Sequence, residues 1–334
     1  MKTTPDNQKL FDLIDEARRG KIVLPQFQRN FVWSRDDISA LLLSVLQGHF
    51  IGSFLLLNTD KDNVPFAVRP LEGVSLAKEK LHPDAMILDG QQRLTSLHYA
   101  FAAPDLSLKS TRYSFRFFLD LNKVLENDWE NAILSERTIE CKAMLEQTKQ
   151  FETLVVPFTE LENWDRWLHS YEQWLVEKDK DAYFNQYFKV SKPAWLAVMD
   201  RVKTFMVPTI TIPKMKQDDP EALAEVCAIF EKINSTGVKL SVYDLLTARL
   251  YRHKIDLHAL WMEAVDEYHI LDAYSEGKPD EFGVYVLRTI ALMRGLDTKS
   301  RELINLAPED FVKDWRKAVE YIERALERMT ATGP

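Results

Sequence analysis

Residues 86–98 read MILDGQQRLTSLH. The apolar start, Met86 to Leu88, predicts a buried strand, and the spacing of apolar residues from Leu94 onward predicts a helix. Asp89–Arg93 therefore lies at a strand–turn–helix junction, where the positive end of the helix dipole favours an anion. At such a junction the aspartate is a candidate metal ligand, the two glutamines are candidates for orienting water, and the arginine is a candidate phosphate ligand. These residue types predict the chemistry of a nucleotide site.

A purely structural interpretation of this turn is also open. Aspartate is a preferred helix N-cap, so Asp89 would cap the helix at Leu94 and Arg93 would pair with it. Gly90 supplies the backbone freedom that a tight turn needs. The two adjacent glutamines have no evident structural purpose at a turn, and this favours a functional site.

A second segment, LPQFQRNFVW at residues 24–33, places an arginine within a row of aromatic residues. In an extended conformation Phe27, Arg29, Phe31 and Trp33 lie on one face. A buried arginine needs an anion, a carboxylate or the face of an aromatic ring. A structural cation–π contact and a ligand-binding arginine both fit this pattern, because the planar guanidinium binds phosphates and carboxylates alike.

A third polar turn, Asn234-Ser235-Thr236-Gly237, lies between two predicted helices. Asparagine and glycine commonly end helices, so this turn alone does not indicate a site. It would nevertheless offer Asn234 and Thr236 to a ligand.

The pattern outside these segments predicts an α+β fold. Residues 5–19 have the apolar spacing of a helix with Pro5 at its first position, and Ser34 with Asp37 forms a capping box for the next helix. Residues 51–58 and 207–212 are predicted strands.

The stretch 123–200 has no glycine and many aromatic residues, and it is predicted to be helical. Trp167, Tyr171 and Trp174 share one helical face. Such a stripe usually packs in a core, and stacking on bases or a ligand is the alternative. The predicted divisions are a core at 1–122 carrying the DGQQR sequence, a helical aromatic-rich insertion at 123–203, a return to the core with the Asn-x-x-Gly turn at 204–250, and a helical C-terminal region at 251–334.

Composition excludes several classes of protein. The chain has 334 residues and a formal net charge of −8, whereas proteins that coat nucleic acid are usually basic, so DNA contacts are expected to be local or made through a partner. Two cysteines argue against a disulfide framework or a zinc–thiolate site. The sequence has no membrane-length apolar run, P-loop motif or His-Asn-His nuclease core. No signal peptide is expected, because the first six residues lack its apolar core. A cytoplasmic location is predicted.

The three segments, in this order, resemble the GmrS-like N-terminal domain family of GmrSD-type modification-dependent restriction and phage-defence proteins. The match includes Pro25 to Trp33, Gly52-Ser53 at the start of a strand, Ile87 to Thr95, and Asn234-x-x-Gly237-x-x-Leu240-Ser241. The resemblance covers roughly residues 10–250. It implies a ParB/sulfiredoxin-like mixed-sheet core in which Gly90–Arg93 is the turn that binds nucleotide phosphates. Sulfiredoxin chemistry is not expected, because neither cysteine is near the turn in sequence.

The resemblance further implies binding and hydrolysis of an NTP, GTP or ATP, with Mg²⁺. Its predicted catalytic residues are Asp89, Gln91, Gln92 and Arg93, with Asp89 also the metal ligand. Its predicted nucleotide or DNA contacts are Gln28, Arg29, Gly90, Thr95, Asn234 and Thr236. The nucleotide state is expected to gate a His-Asn-His nuclease domain or subunit that acts on DNA, expected to be modified phage DNA, and a homo-oligomer is compatible with this role.

Two other functions stay open on the sequence. A non-catalytic ParB-like DNA-binding or nucleotide-sensing module would bind nucleotide without releasing phosphate. An interaction scaffold that docks a nuclease subunit would bind no nucleotide at all.

Overall fold

Two β-sheets organise the N-terminal two thirds of the chain. The computed structural model describes residues 3–331 apart from 27, 29, 60–63, 65, 78, 79, 215–241, 252 and 276–278. The strands are β1 (Thr4–Lys9), β2 (Ile22–Pro25), β3 (Phe54–Asn58), β4 (Val68–Arg69), β5 (Ala85–Asp89), β6 (Phe115–Asp120), β7 (Ile133–Arg137), β8 (Val155–Pro157) and β9 (Met206–Ile212).

The larger sheet has the order β1-β9-β3-β5-β2-β4 and mixed strand directions. Its parallel pairs are β3 with β9 and β2 with β5, and its other neighbours are antiparallel. The smaller sheet is antiparallel, in the order β7-β6-β8. The predicted α+β class with a mixed-sheet core is confirmed, and the ParB/sulfiredoxin-like identity of that core stays a prediction.

Helices cover the sheets and form the C-terminal part of the described chain. Those of the first part are α1 (Leu10–Arg18), α2 (Arg35–Gln47), α3 (Gln91–Ala102), α4 (Leu121–Leu125), α5 (Gln147–Thr153), α6 (Trp164–Lys178), α7 (Lys180–Ala182) and α8 (Lys192–Lys203), with a π-helix at Tyr183–Ser191. Those of the C-terminal part are α9 (Val242–Tyr251), α10 (Leu257–Glu267), α11 (His269–Ser275), α12 (Pro279–Met293), α13 (Ser300–Ile304) and α14 (Phe311–Ala331).

Side chains on the central strands alternate between two cores. Phe54, Leu56 and Ile87 face the core that the sheet forms with α1, α2 and α3. Leu55 faces a second core, which includes Ile304 from the C-terminal helices. Because both faces are covered, β3 and β5 read as continuous apolar runs rather than as alternating ones.

The C-terminal helices pack around an apolar core of their own, formed by residues such as Leu246, Trp261, Leu287, Phe311 and Trp315. This agrees with the helical pattern predicted from residue 251 onward. No helix in the part of the chain that the structure describes combines the length and apolar character needed to cross a membrane.

The first predicted helix was placed too early. The structure has an exposed edge strand at Thr4–Lys9 and starts the helix at Leu10, whereas the sequence predicted a helix over 5–19. The strand pairs antiparallel with β9, Pro5 lying opposite Ile210. Proline is tolerated at a sheet edge because its missing N–H is not needed there. The apolar face of Leu10, Leu13, Ile14 and Ala17 was predicted correctly.

The sequence predicted helices throughout residues 123–200, but the structure also has two strands there. Ile133–Arg137 and Val155–Pro157 flank Phe115–Asp120 as strands of the smaller sheet. The aromatic stripe packs in the core, with Trp167 and Tyr171 buried, Trp174 half-buried, and the Trp167 and Tyr171 rings stacked at 5.5 Å between centroids. Short strands without clear alternation are difficult to predict from sequence, because pairing with neighbouring strands stabilises them more than their own residue pattern does.

Helix α3 runs through the protein interior, and its buried His98 predicts a pH-dependent stability. His98 Nδ1 accepts from Arg18 Nε at 3.4 Å. Burial, assisted by the positive charge of Arg18, lowers the pKa of His98 from 6.5 to about 4. The unfolded chain therefore takes up a proton at this histidine before the folded chain does, so the stabilisation is complete above pH 6.5 and is lost as the pH falls toward 4.

At pH 5 the loss from His98 is expected to be about 2 kcal/mol. Urea unfolding at pH 7.5 and pH 5 would measure it, with His98→Asn retaining an acceptor near Nδ1 but no titration in this range. His82→Asn, at an exposed histidine, is the matched control. We expect His98→Asn to flatten the pH dependence and His82→Asn to leave it unchanged. An unaltered pH dependence in His98→Asn would contradict the assignment.

Candidate functional site

The DGQQR sequence forms the predicted strand–turn–helix junction. Strand β5 ends at Asp89, Gly90 adopts a left-handed conformation with φ of 92° and ψ of 4°, and α3 begins at Gln91. The helix starts three residues earlier than predicted, and no side chain caps it, so Asp89 is not the N-cap that the structural interpretation required. A helix that begins after glycine without a capping side chain leaves its positive end suited to an anion.

Arg93 is held by acceptors of the protein itself. Its Nη1 donates to the Ile51 carbonyl at 2.7 Å, and its Nη2 donates to the Ser53 carbonyl at 3.0 Å and to Asp89 Oδ2 at 3.2 Å. Its guanidinium also lies over the Phe54 ring, 5.3 Å from the centroid. Burial lowers the pKa of Arg93, and the charge of Asp89 opposes that shift. The Asp89–Arg93 pair of the structural interpretation is thus present, and the phosphate-binding role of Arg93 stays a prediction.

Two glycines make room for this arrangement. Gly52 has a φ of 88°, and a Cβ there would overlap the Arg93 guanidinium. A Cβ at Gly90 would overlap the ring of Phe54. Each backbone therefore approaches a side chain more closely than any other residue type allows.

Gln92 has a structural role that the sequence did not reveal. Its side-chain carbonyl accepts from Val32 N at 2.9 Å, and its amide group donates to the Asn30 carbonyl at 3.1 Å. The expectation that adjacent glutamines serve no structural purpose is therefore wrong for Gln92. Its predicted role in orienting water stays a prediction.

The segment after β2 lies directly on the DGQQR turn. Gln28 Nε2 donates to the Leu88 carbonyl at 2.7 Å. This hydrogen bond and those of Gln92 connect the first two sequence segments. Phe31 stacks on Tyr99 of α3 at 6.3 Å between ring centroids. Two of the three sequence segments are thus in contact in the structure.

The remaining predicted site residues differ in position. Gln91 and Gln92 are 6% and 8% exposed, and Thr95 is 3% exposed, so all three are buried at the start of α3. The Asp89 side chain retains 32% exposure, compared with 19% for Arg93, and is the most accessible of the predicted catalytic side chains. The predicted ligand contacts Arg29, Asn234 and Thr236 lie outside the described residues.

The predicted metal site has one carboxylate on the turn. Among the described residues, no group of three His, Cys, Asp or Glu side chains is arranged to hold a metal ion. Mg²⁺ commonly binds through one or two carboxylates together with water and substrate phosphates. Asp89 fits that manner of binding, and its role as a Mg²⁺ ligand stays a prediction.

Sequence reasoning missed Arg69 and Glu72. Both oxygens of Glu72 accept from Phe31 N, at 2.9 and 2.8 Å, and Oε1 accepts from Arg69 Nη1 at 2.9 Å. Arg69 Nη2 donates to the Gln28 carbonyl at 3.0 Å. In sequence the two are an ordinary arginine and glutamate in a loop, so no local signal marked them.

Comparison with known proteins shows the family to which the sequence is related. Residues 10–251 match the family model described as "GmrSD restriction endonuclease, N-terminal domain". The chain is also 34% identical over 337 aligned residues to a protein of Methanocaldococcus jannaschii that is described as uncharacterized. That alignment covers 97% of this chain and 55% of the relative, so the chain spans about half the relative's length. Because the family match extends over most of the sequence and includes the DGQQR turn, the chain belongs to the family of GmrSD restriction endonuclease N-terminal domains.

Proposed function

We propose that this chain binds and hydrolyses a nucleoside triphosphate, and that its nucleotide state regulates DNA cleavage in a modification-dependent phage-defence system. Family membership supports a place in a restriction system. The observation that carries the nucleotide part is the turn at Gly90, where α3 begins without a side-chain cap directly after a buried strand. Such a turn suits a phosphate group because backbone N–H groups and the helix dipole both favour an anion.

In this proposal the terminal phosphates lie at the start of α3, and Asp89 holds Mg²⁺ through its accessible carboxylate. Gln91 positions the attacking water, since catalysis of phosphoryl transfer depends on positioning and charge stabilisation. Arg93 supplies positive charge beside the turn. Three of its five N–H groups donate to the Ile51 and Ser53 carbonyls and to Asp89, so a phosphate would bind through the other two or replace one of these acceptors.

A second candidate function is nucleotide sensing without hydrolysis. It is favoured by the hydrogen bonds that already engage Gln92 and Arg93 with the protein. With these two side chains committed to structure, fewer groups are available for catalysis. This candidate predicts nucleotide binding without release of phosphate.

Titration with ATP and GTP in the presence of Mg²⁺, with binding and phosphate release measured together, distinguishes these functions. We expect binding and release by the wild type, and a loss of at least tenfold in turnover for Asp89→Asn. Asp84→Asn is the matched control, because Asp84 immediately precedes β5 and is 70% exposed. Binding without release would favour sensing, and absence of binding would reject both in favour of a scaffold.

The DNA-cleaving chemistry is assigned in this proposal to a His-Asn-His nuclease domain or subunit. DNA contacts by this chain are expected to be local, because its net charge is −8. Binding to modified and unmodified DNA at several salt concentrations would measure them, since phosphate contacts weaken as salt rises.

A further inference from the structure

The Arg69–Glu72 pair supports the second sequence segment, which spans residues 24–33. Glu72 accepts the backbone N–H of Phe31, and Arg69 donates to the backbone carbonyl of Gln28. The two side chains are 18% and 17% exposed and are joined at 2.9 Å. One ion pair therefore bonds to the backbone of both Gln28 and Phe31, through hydrogen bonds that are stronger than neutral ones because a charged group takes part.

The other side of the same segment is attached to the DGQQR turn. Gln28 Nε2 donates to the Leu88 carbonyl, and Gln92 bonds to the backbone of Asn30 and Val32. Gln28, Asn30, Phe31 and Val32 thus lie between two sets of hydrogen bonds, one from the turn and one from Arg69 and Glu72. Loss of the second set would leave the segment held from one side alone.

The position of Arg69 follows from the sheet. Arg69 lies in β4, the edge strand, opposite Leu24 of β2, and Gln26 N donates to the Ala67 carbonyl at 2.8 Å just beyond that pairing. The short strand pairing thereby fixes where the Arg69 backbone lies relative to the segment that follows β2. Glu72 comes three residues later and completes the pair.

We propose that Arg69 and Glu72 are positioning residues for the nucleotide site. They hold the backbone of Gln28 and Phe31 against the DGQQR turn and thereby set the affinity for the Mg²⁺–nucleotide complex. This inference rests on the proposed function for the identity of the ligand. It assigns a role to two residues that lie outside the three sequence motifs and bond to the backbone of Gln28 and Phe31.

The test compares Glu72→Gln and Arg69→Met with the same substitutions in a second ion pair. Arg137 and Glu140 have the same spacing and an Nη1–Oε1 distance of 3.1 Å, but lie at the smaller sheet and are 44% and 52% exposed. We expect Glu72→Gln to speed amide hydrogen exchange in residues 28–32 and to raise the dissociation constant for Mg²⁺–ATP or Mg²⁺–GTP about tenfold. Glu140→Gln and Arg137→Met are expected to change neither quantity.

Two further variants separate positioning from a general loss of stability. Arg69→Lys keeps the charge but lacks the planar fork that reaches both Glu72 and the Gln28 carbonyl, so we expect an intermediate affinity. The double variant Arg69→Met with Glu72→Gln is expected to match the single variants, because the two residues act as one unit.

Unchanged exchange in residues 28–32 of a folded Glu72→Gln protein would overturn the proposal, as would wild-type nucleotide affinity in that variant. If the wild type binds no nucleotide, the proposed function fails and the effect on affinity fails with it. The exchange measurement then still decides whether the pair holds the segment, so the two failures are distinguishable.

Discussion

Gly90→Ala is expected to lower the free energy of unfolding by about 2 to 5 kcal/mol. Gly90 has a φ of 92°, a left-handed conformation in which a Cβ is unfavourable. The added Cβ would also overlap the ring of Phe54, which is fully buried on the neighbouring strand β3. Urea unfolding of the wild type and the variant measures the loss.

Gly295→Ala is the matched control for this prediction. Gly295 also has a positive φ, 71°, but a Cβ there would meet no atom within 4 Å. The substitution should therefore lower the free energy of unfolding only by the cost of a left-handed backbone at a non-glycine residue, about 1 to 2 kcal/mol. The difference in unfolding free energy between the two variants measures the cost of the overlap between the added Cβ and Phe54. Equal losses would show that packing against Phe54 does not constrain Gly90.

Arg93→Met is expected to lower the free energy of unfolding by about 2 to 4 kcal/mol and to abolish measurable nucleotide binding. The substitution removes the donor from the Ile51 and Ser53 carbonyls and leaves Asp89 without its positive partner. The hydrogen bonds that Arg93 makes to the loop at Ile51–Ser53 are then lost. Urea unfolding measures the first effect, and titration with Mg²⁺–ATP and Mg²⁺–GTP measures the second.

Arg294→Met is the control that separates loss of stability from loss of nucleotide binding. Arg294 donates to the Ala307 and Glu309 carbonyls at 2.7 and 2.6 Å and to Asp314 at 2.8 Å, so it joins two carbonyls and a carboxylate as Arg93 does. Its variant should lose comparable stability while retaining nucleotide binding. If both arginine variants bind nucleotide like the wild type, the turn is not the nucleotide site.

Much of the local structure near the turn was predictable because the deciding interactions are close in sequence. The capping box of Ser34 and Asp37 has both of its hydrogen bonds, and Gly48 ends α2 in a left-handed conformation. The apolar run before Asp89 forms a strand as predicted. Caps, turns and apolar runs depend on neighbours within a few residues, and a single sequence displays those neighbours directly.

The elements that sequence reasoning missed depend on distant partners. Thr4–Lys9 is extended because it pairs with β9, two hundred residues later in the chain. Ile133–Arg137 and Val155–Pro157 are strands because β6 lies between them. Their own patterns do not alternate clearly, and pairing across the sheet outweighs local preference.

The same distinction holds for the candidate site. The turn and its residue types were visible in the sequence, whereas the partners of its side chains were not. Gln92 bonds to a segment sixty residues earlier, and Arg93 bonds to a loop forty residues earlier. A motif indicates which chemical groups are present, but the fold decides which of them already have partners.

The central claim, that the DGQQR turn binds nucleotide phosphates, is tested most directly by amide hydrogen exchange with and without Mg²⁺–ATP or Mg²⁺–GTP. Bound phosphate accepts hydrogen bonds from the first N–H groups of α3, so their exchange slows. We predict the strongest protection in residues 89–95, with weaker protection in residues 28–32. Saturating nucleotide that leaves residues 89–95 unprotected would contradict the account.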